Sequence, residues 1–513
     1  MGGARRPGLV DRLLRLISDV RAGESGTVLL LTLNVFLILT AYYFIKPIRE
    51  ALILGSGGAE IKSYSSAGQV LLFLGLVPLY GALAGRLPRR KLINSVTLFF
   101  VACLVAFFLV TRVDSSSILL GIVFFLWVGI FNLMVIAQFW AFANDLYTRE
   151  EGERLFPIVA VGASAGGVFG GWATANVIPV FGVQPPLLIA AALLLLSLVV
   201  TNYVDARERR RREAGWPSAL TTATMPAASS QFSLADIRKA IEEYDAQEAE
   251  RQRRGESPER EREPDRGAEG GMPDLTQTWQ FAGKGEGPFR LVFKCRYLLL
   301  IALLMLLLNW VNTTGEYILG SIVKAEATAR APASGLTEAE FIGTFYSNFF
   351  AVVNGLGLLI QLFLVSRIVK YVGVPVALLV LPLIALGGYG LIALAPLLAA
   401  VRWVKTGENA TDYSLYNTVR NMLFLPCTRE QKYKAKQAID AFFWRAGDML
   451  QAVVVFVGTS VLALQVRQFA LFNMVLAGLW LVLAIRIGRE YRRLVQSGRP
   501  PCVEAGPFGA LAR

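Results

Sequence analysis

Lys46, Arg49 and Glu50 fall at i, i+3 and i+4 inside an apolar run, so on a helix they share one face. Two cations with one carboxylate make a grip for a phosphate, the acid neutralising the empty site. Snorkelling to headgroups fits the same residues, although Ala51-Leu52-Ile53-Leu54 carries the apolar run beyond them. A denser set lies within Val404–Asp448. Arg402, Lys405, Asn409, Asp412, Tyr416 and Arg420 step by three or four and form one stripe, with Glu408 beside it. Asp440, Arg445 and Asp448 punctuate the next stretch, behind Lys434 and Lys436. Glu316 follows Asn309-Trp310-Val311-Asn312-Thr313-Thr314-Gly315 and needs a partner; a cation of the first or tenth span is the natural candidate. Asn144 and Asp145 end the run Phe139-Trp140-Ala141-Phe142-Ala143, which could stack and hydrogen-bond a base, or form an aromatic belt with an interfacial cap.

Each ionisable group in hydrocarbon costs about 2.5–3.5 kcal/mol even on lenient scales. So many on neighbouring spans are expected to face a shared wet cavity. Cations and carboxylates are there in near-equal number, which suits reversible binding of an anion. The carboxylates hold the empty site, and a phosphorylated guest displaces them from guanidinium groups that grip phosphate bidentately.

The elements that carry these groups are apolar runs. The 513 residues are 54% hydrophobic, with a mean hydropathy of +0.50. Spans are expected at 27–54, 66–87, 93–112, 117–146, 155–179 and 183–204, then at 297–322, 340–367, 373–391, 394–422, 436–464 and 467–487. The fold class is therefore an all-α polytopic membrane protein of twelve transmembrane helices in two six-helix bundles. The domains expected are a tail over 1–26, bundles over 27–204 and 297–490, a charged linker over 205–296, and a tail over 491–513.

The halves look related. Thr148-Arg149-Glu150 precedes the fifth span and Thr428-Arg429-Glu430 the eleventh; Glu50 in the first span matches Glu316 in the seventh. Two six-span repeats joined by a linker are the layout of a major-facilitator-type carrier, with its site near the midplane between halves. Pro47 removes a backbone donor and is expected to kink the first span. Gly162, Gly166 and Gly170, and likewise Gly167 and Gly171, recur every four residues and read as a close-packing face. Residues 205–290 are rich in Arg, Glu, Pro, Ser and Gly and read as a linker, with one amphipathic helix possible over 237–254. Met1–Ser25 is basic, either an interfacial helix or a plain tail.

The formal charge is +13, from 51 Lys and Arg against 38 Asp and Glu. The excess lies in alternate loops: Arg86, Arg89, Arg90 and Lys91; Arg367 and Lys370; Arg429, Lys432 and Lys434; Arg489, Arg492 and Arg493. The opposite side offers only Lys62, Arg112, Lys324, Arg330 and Arg467. Positive residues stay inside, so both termini and the linker are expected in the cytoplasm, and the charge is not a nucleic-acid footprint. Histidine is absent, so a proton relay would need carboxylates. Cys103, Cys295, Cys427 and Cys502 show no paired spacing, so neither a disulfide framework nor a zinc site is expected. There is no nucleophile–base pairing, metal cluster or GK[ST] phosphate loop, so no enzyme and no cofactor is expected.

Three segments carry a family resemblance: Phe139-Trp-Ala-Phe-Ala-Asn-Asp145, Arg154-Leu-Phe-Pro157, and Tyr413-Ser-Leu…Phe424-Leu-Pro…Lys432-Tyr-Lys-Ala-Lys-Gln-Ala-Ile-Asp440. They resemble the ATP/ADP translocases of obligate intracellular bacteria and plastids, as does the first-span run Lys46, Arg49, Glu50, Ala51 and Leu52. The resemblance implies exchange of nucleotides, classically ATP against ADP, across a bacterial inner membrane; a monomer is expected. Its partners would be a small anionic substrate and the bilayer. It places substrate-handling charges at Arg49, Asp145, Glu316 and Arg420. Asp145 stands where that family usually has Glu, and Asn417-Thr418-Val419-Arg420 replaces an Asp-Pro-Thr-Lys-like sequence, so the substrate stays open. Two alternatives remain: a proton-coupled carrier of another organic anion, using Glu316, Asp440 and Asp448, and a transport-dead scaffold acting through residues 205–290.

Overall fold

The computed structural model describes residues 24–213 and 288–502, apart from 87, 115, 148, 429, 430 and 499. The expected helices over Met1–Ser25 and 237–254 lie essentially outside the described residues. Within them the chain is helical and has no strand.

The first half comprises α1 (Ser25–Arg86), α2 (Arg89–Val113), α3 (Ile118–Asn144), α4 (Arg149–Phe181) and α5 (Pro185–Glu213). The second opens with short α6 (Pro288–Lys294) and long α7 (Arg296–Ser334). Then come α8 (Glu338–Phe363), short α9 (Val365–Tyr371), α10 (Val374–Leu394) and α11 (Leu398–Thr411). A π-helical turn, Asp412–Tyr416, joins α11 to α12 (Asn417–Met422). Another stretch, broken by three π turns, carries α13 (Lys436–Ala438) and α14 (Trp444–Phe456), and α15 (Val466–Ser497) closes the second half. Turns are set locally. Thr337 and Glu340 form a reciprocal cap at the start of α8, and Gly335 ends α7 in the left-handed region.

Among the described residues, ten helices are long and apolar enough to cross a membrane, two short of the twelve expected. The charged α11–α12 helix fails on apolarity because it carries the site stripe. The first two spans run together in α1, whose 62 residues reach about 93 Å, against roughly 30 Å of hydrocarbon. The break in α1 is not at Pro47, where helical dihedrals continue. It is at Gly58, with φ 77° and ψ −177°, a region essentially closed to other residues. That break re-aims residues 59–63 at the second half. Lys62, expected in an outer loop, is consequently a buried helical residue.

The glycine face of α4 packs on both halves. A Cβ on Gly162 or Gly166 would sit 2.5 Å from the Thr32 or Phe36 carbonyl oxygen of α1. A Cβ on Gly171 would meet backbone of Ser347 and Ala351 on α8 at 2.9–3.1 Å. Gly166→Val is expected to cost about 1–3 kcal/mol of stability through forced backbone shifts. Gly68→Ala, with nothing within 4 Å, should be neutral. Thermal unfolding of the two purified variants checks this pair; equal melting temperatures would remove the close-approach role of Gly166.

The cysteine expectation is overturned. Cys295 and Cys502 form a disulfide, with Cα atoms 5.5 Å apart across 207 residues of sequence. Sequence distance hid a pair that the fold makes adjacent, the end of α15 returning beneath α7. Gln431 donates to the Pro501 carbonyl at 2.9 Å and holds the same tail. Cys427 is buried, and burial pushes its thiol up to about 12, so it carries almost no thiolate for exchange with that disulfide.

Candidate functional site

The charges of the two halves meet in one ladder. Arg49 on α1 donates to Glu50, which is 1% exposed. Lys62, four residues past the Gly58 break, lies 2.7 Å from Glu50 and 3.7 Å from Glu316 on α7. Lys405 on α11 is fully buried. It lies 3.7 Å from Glu316 and 3.0 Å from Glu408, and donates to the Asn312 side-chain oxygen at 2.9 Å. The Tyr389 hydroxyl on α10 donates to Glu408 at 2.8 Å, and the Asn409 amide to Glu316 at 3.2 Å. Glu316, in need of a cation, thus has one from each half. Gly315, through which α7 runs unbroken, supplies room: a Cβ there would lie 1.9 Å from the Tyr389 hydroxyl and 3.0 Å from the Lys405 ammonium.

The same stretch of α1 seals the seam between the halves. Tyr317 donates to Glu60 at 3.0 Å, Gln451 to Ser63 at 3.0 Å, and Lys324 to the Gly55 carbonyl at 2.8 Å. Lys324 also pairs with Glu338.

Two cations stand differently. The Lys46 ammonium lies 3.9 Å over the Phe350 ring of α8 and 5.5 and 5.9 Å from Tyr43 and Tyr42. Arg420 holds the Asn417 amide oxygen at 3.1 and 2.8 Å and sits 4.9 Å from the Trp444 ring. Among the described residues neither has a carboxylate within 4 Å. Rings and a neutral amide stabilise a cation only weakly, so these two, one from each half, keep capacity for an anion.

The remaining expected residues separate. Asp440 pairs with Lys436 at 3.6 Å. Arg445 pairs with Asp448 at 3.3 Å and stacks on Phe73 of α1 at 5.2 Å, while Asn309 donates to Asp448 at 2.8 Å. Asp412, 9% exposed, has one oxygen without a hydrogen-bond partner. Tyr416 is not a cavity residue: it is fully buried, accepts from the Trp480 indole at 3.1 Å and meets that ring edge-on. Asn144 and Asp145 are not brought to the ladder. They end α3 at the surface, where Arg89 clamps Asp145 at 3.1 Å and Asp205 at 2.7 Å. Sequence reasoning missed Lys62 and Tyr389. Lys62 was masked by the turn-like Gly55-Ser56-Gly57-Gly58, and Tyr389 lies in a run whose only signal was apolarity.

Polar groups from both halves are thus brought together in a seam between two helical bundles. The chain belongs to the Major Facilitator Superfamily, whose family model matches residues 28–421. Within the second half, residues 385–491 match the model of the TLC ATP/ADP transporter family, in line with the resemblance carried by the tenth and eleventh spans. No curated protein matches the chain in sequence. Among solved structures, the nucleoside transporter NupG superposes with a TM-score of 0.55 at 12% identity, covering 92% of this chain and 99% of that one. The POT family transporter PepTSo gives 0.54 at 11%, covering 92% and 98%. A D-xylose–proton symporter gives 0.53 at 11%, also covering 92% and 98%. At these identities the likeness is one of fold.

Proposed function

We propose that the protein exchanges nucleotides, ATP- or ADP-like, or closely related phosphorylated anions, by alternating access. One observation carries the reading. Lys46 and Arg420 come from opposite halves, and among the described residues neither has a carboxylate within 4 Å, whereas the cations of the ladder are neutralised within it. The TLC match over residues 385–491 supports a nucleotide as the guest. A phosphate chain bridging Lys46 and Arg420 takes their unused donors and competes with Glu50 and Glu316 for Arg49, Lys62 and Lys405. The empty ladder closes on itself, and the loaded one is opened by the guest. From the loop charges we place its termini in the cytoplasm; the bacterial inner membrane follows from the likeness to the TLC family.

Counterflow in proteoliposomes tests the exchange. Labelled ATP should enter only vesicles preloaded with ADP or ATP. A second reading rests on the unpartnered oxygen of Asp412, which suits a proton carrier. Uptake driven by a pH gradient into empty vesicles, with no need of internal nucleotide, would favour it and exclude exchange.

A further inference from the structure

The disulfide between Cys295 and Cys502 has basic surroundings. Lys294 and Arg296 flank Cys295, and Arg489, Arg492 and Arg493 precede Cys502. The loop charges that place the termini in the cytoplasm place this bridge there too. Thiol pools keep that compartment reducing, and the disulfides found in it are as a rule transient, catalytic or redox-sensing.

The two sulfurs are unequal. Cys502 is exposed, whereas Cys295 is only 3% exposed. Cys295 is also the N-cap residue of the 39-residue α7, where the free N–H groups of the helix end favour a thiolate. An attacking thiolate therefore reaches the Cys502 sulfur, and Cys295 is the leaving group.

The bridge completes a clasp around the connector that follows Arg420. At one end of the connector, Tyr297, two residues after Cys295, donates to the Leu423 carbonyl at 2.7 Å. At the other, Gln431 donates to the carbonyl of Pro501, the neighbour of Cys502, at 2.9 Å. The backbone N–H groups of Thr428 and Gln431 donate to each other's side chains at 3.0 and 3.3 Å. Gln431 also opens the π turn Gln431–Ala435, and π turns recur at functional positions. The clasp thus ties α7, which carries Glu316, to the segment between Arg420 and Asp440.

We propose that Cys295 and Cys502 form a redox-controlled strap. Bridged, it pins the connector and slows the carrier; reduced, it releases the tail and lets the carrier cycle. The reductant is a small thiol of the glutathione kind. Its thiolate attacks the Cys502 sulfur, forming a mixed disulfide and freeing Cys295. A second thiol resolves the mixed disulfide and frees Cys502. Two electrons pass to the bridge, the protons of the two thiols end on the two cysteines, and the thiols leave as their own disulfide, which runs the reaction backwards. The effect on transport rests on the exchange reading above; the strap itself does not.

Wild type and Cys502→Ser, equilibrated in buffers of reduced or oxidised glutathione, test this. The bridge is read by mass shift with a maleimide reagent, exchange by labelled ATP in proteoliposomes. Excess reduced glutathione should open the wild-type bridge and raise exchange at least about fivefold, the low end of coupling between sites. Cys502→Ser should run at the faster rate in both buffers. The bridged form should also melt roughly 5 °C above the reduced one, with the variant indifferent. Alkylation of unstressed cells before lysis should find both cysteines as thiols. A bridge that survives excess reduced glutathione, or is found closed in unstressed cells, would be a permanent staple and overturn the proposal. So would a bridge that opens with exchange unchanged, or a variant that still responds. If no nucleotide is exchanged in either buffer, the exchange reading fails, and the thiol count and melting temperatures alone decide the strap.

Discussion

Lys405→Met is expected to destabilise the protein by about 3–5 kcal/mol, the usual cost of removing one partner from a buried ion pair. Lys405 has no exposed surface and is held by Glu316, Glu408 and Asn312. Methionine fills the same volume, so packing is kept and the loss is electrostatic. Glu408, 2% exposed, keeps only the Tyr389 hydroxyl, and Glu316 keeps Lys62 at 3.7 Å. Adding Glu408→Gln removes the stranded charge and should recover most of the loss. The melting temperatures of the single and double variants, in the same detergent, check this. A single variant as stable as wild type would show that the ladder is not closed through Lys405.

Lys62→Met should behave in the opposite way, with stability nearly kept and coupling lost. Both carboxylates that Lys62 touches have a second cation: Glu50 has Arg49, and Glu316 has Lys405. Each carboxylate still touches a cation, although Lys405 then serves both Glu316 and Glu408, so the melting temperature should fall less than for Lys405→Met, which leaves Glu408 with no cation. What disappears is the cation that ties residues 59–63 of α1 to α7. In the exchange reading, that tie holds the empty carrier in place until a guest competes for it. The Lys62–Glu316 contact at 3.7 Å is an ion pair, too long for a hydrogen bond; a partly screened ion pair is worth about 1 kcal/mol, and each 1.36 kcal/mol is about tenfold in rate. Efflux of labelled nucleotide into nucleotide-free medium should therefore rise about fivefold. Efflux still strictly dependent on external nucleotide would take Lys62 out of the coupling.

Much of the site was legible because charge inside apolar runs is costly and rarely idle. Arg49, Glu50, Glu316 and Lys405 stood out for that reason, and the structure joins them in one ladder. What stayed hidden depends on geometry that composition does not encode. Lys62 reads as a loop residue until the Gly58 break turns it inward. Tyr416 reads as part of a 3.6-residue stripe until the π turn shifts the register, burying it and exposing Tyr413. Asn144 and Asp145 end an aromatic run and so resemble a base-binding corner, yet Arg89, remote in sequence, claims Asp145 at the surface. Of the twelve expected spans, nine match separate apolar helices; two run together through Gly58, and a third carries too many charges to read as apolar. The Cys295–Cys502 bridge was illegible, because a contact across so long a separation is set only by the closed bundle.

The most direct test is the nucleotide dissociation constant of purified, folded Lys46→Met and Arg420→Met. If one guest is held from both halves, each substitution should raise it at least about tenfold, since each removes a charge-assisted hydrogen bond of about 1.5–3 kcal/mol. Wild-type affinity in either variant, with the fold intact, would contradict a shared anion site between the bundles.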